Sequence, residues 1–313
     1  VSDRRTGPPP VELIDLDLPR TGYRRFIGCW LYRDADLCYV VDPGPPATVP
    51  HLAAELSRRG VGRLDAILLT HVHLDHGGGA GHLAALYPDA TVLCLERAMA
   101  HLADPTRLWE GSLAVLGETA RLFGRPRPVP ARRLAPPDAL AERGIGWLPT
   151  PGHASHHVCY RHGDLLFAGE ALGVRFPLPA GKRYLRPATP PPFRPAVYRE
   201  SLARLAGLAP PPRWLAFGHG GLCRAEGMAG AADRQIRLWL EIVAEETTRR
   251  GDRQWSPDLQ RRVEERLLAR DPDFASFPLL PGDVRVRERE YLRNTLCGLL
   301  GALAEGLPAG DQA

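Results

Sequence analysis

Thr70-His71-Val72-His73-Leu74-Asp75-His76-Gly77-Gly78-Gly79 decides the reading of this chain. Three imidazoles and a carboxylate fall within six residues, directly after the apolar run Ala66-Ile67-Leu68-Leu69. A short, continuous apolar run predicts a strand buried on both faces. The histidines therefore belong to the loop at a strand's carboxyl end, where open α/β sheets place their sites. The three glycines allow a tight turn and a close backbone approach to a ligand. Four adjacent metal-competent side chains cannot all bind one small ion with good geometry, so two half-sites side by side are expected. His71 and His73 point the same way if the loop stays extended, leaving Asp75 and His76 to point elsewhere. Imidazole with carboxylate suits zinc, iron or manganese.

Three weaker signals repeat one pattern downstream: an apolar strand, a glycine, then a metal-type side chain. Ile145-Gly146-Trp147-Leu148 leads into Thr150-Pro151-Gly152-His153. Leu165-Leu166-Phe167-Ala168-Gly169 ends at Glu170, and Trp214-Leu215-Ala216-Phe217-Gly218 ends at His219.

In this order the motifs resemble the metallo-β-lactamase superfamily: an HxHxDH loop, a later TPGH, a strand ending in Gly plus an acid, and a last His. The resemblance covers about residues 11 to 222. Val41-Asp42-Pro43-Gly44-Pro45, the stretch from His101 to Trp109, and Arg186-Pro187-Ala188-Thr189-Pro190-Pro191-Pro192 resemble one bacterial and archaeal branch known mainly as metal-dependent hydrolases. The resemblance implies a four-layer αββα sandwich with two divalent metal ions, zinc first, iron and manganese accepting the same ligand types. It assigns His71, His73 and His153 to one metal and Asp75, His76 and His219 to the other. Glu170 stands where the family usually has a bridging Asp. The extra methylene is a departure that either shifts the metals or leaves the carboxylate on one of them. The implied chemistry is attack by a metal-bound hydroxide, with Asp75 as catalytic proton shuttle. Metal-bound imidazoles need partners that fix their tautomers, and Asp42, Thr70 and His157 are the candidates. His156 and His162 are read as ordinary loop residues.

Composition bounds the rest. The 313 residues, 44% hydrophobic and 24% charged, suit a globular α/β protein with a large core. A net charge of +4 does not call for nucleic acid. The single lysine, Lys182, leaves nearly all positive charge to arginine. No apolar run approaches a membrane span or a signal peptide. The six cysteines are scattered without a CxxC, as buried reduced thiols of a cytoplasmic protein would be, although a Cys29–Cys38 link between neighbouring strands is conceivable.

Val11–Leu18, Phe26–Tyr32 and Leu37–Val41 read as antiparallel strands. Thr91–Leu95 and Val158–Tyr160 join the strands already named. Helices are expected at 48–59, 81–87, 113–123 and 196–208. Gly173–Pro195 reads as a long Pro- and Arg-rich loop, with Arg175, Lys182, Arg183 and Arg186 available to an anionic substrate group. Three further helices, 228–249, 257–269 and 284–303, form a C-terminal helical extension that could cover the site mouth or form a homodimer contact. The expected division is a tail at 1–10, a catalytic domain at 11–222 and the extension at 223–313.

The function expected is hydrolysis of a small ester, thioester or lactone. Phosphodiester or RNA cleavage would want a larger basic surface. Di-iron redox members commonly carry an acid where this chain has His73, and an added flavin domain. A purely structural role needs no such ligand set.

Overall fold

Runs such as Ile27–Leu31 and Leu165–Ala168 are apolar at every position, so each strand must be covered on both faces. The computed structural model, which describes residues 9–251 and 254–306, shows how. Strands β1 (Val11–Leu16), β2 (Ile27–Arg33), β3 (Cys38–Val41), β4 (Ala66–Leu68), β5 (Thr91–Leu93) and β6 (Leu134–Ala135) form one sheet in chain order. It is antiparallel from β1 to β3 and parallel from β3 to β6. Next come β7 (Ile145–Pro149), β8 (Val158–His162), β9 (Leu165–Gly169), the hairpin β10 (Val174–Pro177) and β11 (Arg183–Arg186), then β12 (Trp214–Phe217) and β13 (Leu222–Arg224). The second sheet has the order β13-β12-β9-β8-β7, with β9 and β12 parallel.

Alternation of side chains along each strand divides the interior into three cores. Trp30, Tyr39, Val41, Leu68, Tyr160 and Phe167 fill the space between the sheets. The opposite faces of the same strands, Cys29, Leu31, Val40 and Ile67, pack under α1 (Val49–Arg58), α2 (Ala80–Leu86), α3 (Glu96–Ala103) and α5 (Glu118–Phe123). Leu166, Ala168, Leu215 and Phe217 pack under α6 (Pro195–Ala206), α7 (Met228–Arg250), α8 (Pro257–Arg270) and α9 (Gly282–Ala304). The result is the αββα sandwich. Trp30 Nε1 donates to Phe217 O at 2.8 Å and Gly28 N to Gly218 O at 2.9 Å, so the sheets are pinned together near the ends of β9 and β12.

Several expectations are corrected. The helix expected at 113–123 is two helices, α4 (Thr106–Leu116) and α5, broken at Gly117, whose φ of +54° ends the first. Gly173–Pro195 is not all loop: its first half is the β10–β11 hairpin. The boundary at 222/223 falls inside β13, and α7 to α9 share a core with the second sheet, so the C-terminal helices are its outer layer. Asp104 Oδ1 accepts from Thr106 N at 3.1 Å in the turn that leads into α4. Cys38 pairs with Arg33 and lies four positions along the ladder from Cys29, too far for a disulfide; all six thiols are free. Apart from Pro9 and Pro10, the tail at 1–10 lies outside the described residues. No helix among the described residues is long and apolar enough to cross a membrane.

Gly298 seats α9 directly on the 187–190 segment, and a Cβ there would overlap the Thr189 carbonyl oxygen. Thr189 Oγ1 donates back to Thr295 O at 3.2 Å, which leaves that backbone little room to move. Gly298→Ala is expected to cost about 1–3 kcal/mol by forcing the helix away. Denaturant unfolding would check it, and an unchanged midpoint would mean that the segment yields.

Candidate metal centre

The chain turns as soon as it leaves β4. His76 N and Gly77 N both donate to the His73 carbonyl, at 3.0 and 2.8 Å, and Gly44 N donates to His76 O at 3.0 Å. This curl carries His71 and His73 to one side and Asp75 and His76 to the other. Glu170 follows β9 and His219 follows β12. The glycine before each acts sterically. Gly169 has φ +51°, and a Cβ there would stand 2.6 Å from both His157 Nε2 and Thr70 Oγ1. A Cβ on Gly218 would crowd the His76 ring.

All seven ligand candidates converge. His71, His73, His153 and Glu170 form one group, and Asp75, His76 and His219 a second, with ligand atoms within 4.8 Å of one another in each. His73 Nδ1 lies 2.9 Å from His153 Nε2, and His76 Nε2 lies 3.3 Å from His219 Nε2. Asp75 Oδ2 is 3.5 Å from His219 Nε2 and 3.9 Å from His76 Nε2. Glu170 reaches both groups: Oε2 is 2.9 Å from His153 Nε2, 3.5 Å from His71 Nε2 and 3.3 Å from His76 Nε2, while Oε1 is 3.8 Å from His219 Nε2. The longer Glu side chain thus remains central to the two groups.

Tautomers follow from the surrounding hydrogen bonds. Asp42 accepts from Thr70 N at 2.8 Å, Thr70 Oγ1 at 2.6 Å and His76 Nδ1 at 2.9 Å. The Thr70 hydroxyl proton is committed to that carboxylate, so Thr70 Oγ1 accepts from His71 Nδ1 at 3.1 Å. His153 Nδ1 donates to Ala188 O at 3.0 Å, and His219 Nδ1 donates to Phe26 O. Each of these four rings therefore turns its Nε2 inward, a lone-pair donor wherever the ring is neutral. His71 Nε2 is buried with no hydrogen-bond partner, and the inward nitrogens of His76 and His219 face each other. Lone pairs so arranged repel unless a cation lies between them. The spacing of about 3.3 Å is that of ligand atoms around a tetrahedral ion with bonds of about 2.0 Å. The residues fit a pair of divalent ions.

The electrostatics agree. Burial, then the neighbouring His76 charge, pushes the His71 imidazole well below its ordinary value, and burial with His153 pushes His73 down to about 3. Both are neutral and able to donate a lone pair. Burial opposes a charge on His76, but the Asp75 and Asp42 carboxylates overcome it and raise its pKa well above the ordinary value, so positive charge is favoured at this ring and a bound cation would take the place of its Nε2 proton. For Glu170, burial is outweighed by His153, His71 and His76, which hold the carboxyl well below its usual range.

His157 is no ligand. Its Nε2 accepts the Glu170 backbone N–H at 3.2 Å, so its Nδ1 donates to Thr150 Oγ1 at 2.8 Å. Burial, then the neighbouring His153, pushes its pKa far down. The ring is a fixed strut under Glu170. His162 pairs with the Tyr39 hydroxyl at 2.9 Å, remote from the centre. His156 departs from its reading as an ordinary loop residue: it lines the cavity, and its buried Nδ1 has no partner.

A cavity of about 780 Å³ opens above the centre, lined by His73, Asp75, His153, Glu170 and His219, with walls from α4, the 187–194 segment and α9. The basic residues of the 173–195 stretch divide. The hairpin turns Arg175 to the Gly220 carbonyl and Arg183 to Asp273 at 2.8 Å, and leaves Lys182 exposed; none of the three lines the cavity. Arg186 does line it, but is buried against Glu288 at 2.6 Å. Arg287, Glu288 and Tyr291 of α9 also reach the wall and were not singled out from the sequence. Their signal was two charged residues beside the apolar stripe Val284, Tyr291 and Leu292.

Arg186 and Arg287 also set an acid response. Burial would raise the Glu288 carboxyl, but the two guanidiniums hold it from its ordinary 4.5 down to about 2. A depressed carboxyl contributes stability that is present above pH 4.5 and lost as pH falls toward 2. Wild type is expected to lose its stability advantage over Glu288→Gln across that window. Urea midpoints at pH 2 to 6 would show it, and parallel curves would contradict it.

Residues 22–219 match the Metallo-beta-lactamase superfamily, and the chain belongs to that family. It is 31% identical over 169 residues to a metallo-beta-lactamase fold-containing protein of Sulfurisphaera tokodaii, covering 51% of this chain and 62% of that one. It is 32% identical over 146 residues to the hydroxyacylglutathione hydrolase of Salmonella paratyphi A, covering 45% of each. The chain therefore spans about half the length of the curated relatives it matches. Two crystal structures share the fold: an archaeal superfamily protein of Sulfolobus tokodaii (TM-score 0.65, 21% identity, 94% of this chain and 99% of that one) and a family protein of Thermus thermophilus (TM-score 0.59, 22%, 96% and 95%).

Proposed function

We propose that the protein is a metal-dependent hydrolase of a small ester, thioester or lactone. The observation that carries this reading is the converging set of seven ligand side chains, five of which line the floor of a cavity sized for a small molecule. Bound divalent ions, zinc first among the candidates, would supply water activated at neutral pH and a Lewis acid for the attacked carbonyl. The chain's own residues do the rest. Asp42, Thr70 and the Ala188 and Phe26 carbonyls hold four imidazoles in one tautomer, so the site needs no reorganisation. Asp75 lies on the cavity wall with Oδ2 toward His219, which supports a role in taking the proton of the attacking water and returning it to the leaving group. A thioester is the first substrate class to try, because relatives at about 32% identity are hydroxyacylglutathione hydrolases.

The test is metal analysis of the purified full chain, then assays with a thioester, a lactone and a phosphodiester. About two equivalents of metal and turnover of the thioester or lactone are expected. Turnover of the phosphodiester alone would replace the substrate class, and a metal-free active protein would end the reading.

A further inference from the structure

We propose that Arg186 and Arg287, bridged by Glu288, form an anion subsite that selects substrates carrying a carboxylate distal to the scissile bond. The proposal rests on the hydrolase reading and narrows its substrate class.

The carrying observation is a charge imbalance inside the protein. Arg186 and Arg287 are each 4% exposed and Glu288 is 2% exposed, so two guanidiniums share one carboxylate away from bulk water. Arg186 Nε donates to Glu288 Oε2 at 2.6 Å; Arg287 Nε and Nη2 donate to Oε1 at 3.1 and 3.0 Å. Arg287 Nη1 takes the Gly22 carbonyl at 2.8 Å, and Arg186 Nη1 the Pro187 carbonyl at 3.3 Å. That accounts for five of the ten N–H donors of two guanidinium groups. Within this triad one positive charge is in excess, with only the ligand candidate Glu170 acting on Arg186 from outside it, and a buried surplus charge is costly unless a counter-ion arrives.

All three side chains line the cavity above the metal centre. Among the described residues of its lining, the only other carboxylates are the ligand candidates Asp75 and Glu170, whereas Arg97, Arg107 and Arg194 add positive charge. Aromatic rings orient the pair: Arg186 lies 5.5 Å over the Tyr291 ring and Arg287 5.5 Å over the Phe26 ring. The guanidinium fork matches a carboxylate in geometry, and a surplus of one charge matches a monoanion better than a dianionic phosphate. Arg287 and Glu288 lie beyond residues 22–219, so the C-terminal helices complete this wall.

The experiment uses the zinc-loaded full chain and two thioesters of N-acetylcysteamine matched in length, S-glutaryl with a terminal carboxylate and S-pentanoyl without. Wild type is expected to favour the glutaryl substrate in kcat/KM by about 10- to 100-fold, mainly through KM. Arg287→Gln should collapse that ratio toward one. Arg287→Lys keeps the charge without the fork and should retain part of it, which covers the case in which the Gln variant does not fold. Calorimetry with hexanoate is the second readout: its Kd should rise by about 10-fold or more in the variants, whereas binding to zinc alone would not change. Equal kcat/KM for both thioesters in wild type, with an unchanged hexanoate Kd in Arg287→Lys, overturns the subsite and leaves the hydrolase standing. No turnover of either thioester, with hexanoate affinity still lost in the variants, supports the subsite and removes thioesters from the substrate classes of the hydrolase.

Discussion

Asp42→Ala is expected to lower metal affinity by about 10- to 100-fold and stability by about 3–5 kcal/mol. Asp42 does not line the cavity above the centre and is 1% exposed, yet three donors end on it: Thr70 N, Thr70 Oγ1 and His76 Nδ1. Alanine leaves Thr70 N and His76 Nδ1 buried without that acceptor and removes the charge that favours a cation at His76. It also frees the Thr70 hydroxyl to donate to His71 Nδ1, so the His71 proton can move to Nε2 and block its lone pair. The position itself is demanding, because Asp42 has φ +54°, a conformation that asparagine tolerates and alanine does not. Asp42→Asn therefore separates the two causes. It keeps the backbone and one acceptor oxygen, and should lose metal affinity with a smaller loss of stability. Chelator competition and denaturant unfolding, with and without zinc, measure both. Wild-type zinc affinity in Asp42→Ala would refute the tautomer argument.

Glu170→Gln is expected to bind about one metal equivalent fewer than wild type and to lose about 10²-fold or more in turnover. Its carboxylate stands within 3.8 Å of four imidazoles drawn from both ligand groups. Glutamine has the same length and leaves the backbone N–H to His157 in place, so the fold should survive. What it removes is the negative charge that lets two dications lie close together. Glu170→Asp restores the charge but draws it back by one methylene, and an intermediate rate and metal content are expected. Two full equivalents of metal with an unchanged rate in Glu170→Gln would show that Glu170 is not shared.

Some of this was legible early because the information is local. His71 to His76 follow one strand, and the Gly169–Glu170 and Gly218–His219 pairs follow two others. In each case the buried strand sets where the next side chain can stand, and the glycine is there because a Cβ would strike a site residue. The Arg-rich stretch after Glu170 was not legible in the same way. Arg175, Arg183 and Arg186 look alike in sequence, and the β10–β11 hairpin sends the first two outward to Gly220 and Asp273 and the third inward to Glu288. The helix start at Thr106 was likewise hidden, because α4 has no buried residue and so no clean apolar stripe.

By itself the amino-acid sequence determined the strand-loop scaffold, the seven ligand candidates and the family, since each rests on short-range patterning and on residue types that few other chemistries require. Only the tertiary structure decided which nitrogen each histidine turns inward, that Glu170 reaches both ligand groups, and that the last helix walls the cavity with two arginines to one glutamate. Those outcomes depend on partners up to 265 residues apart, such as Arg287 and the Gly22 carbonyl, and no local spacing encodes a contact that exists only once three layers have packed.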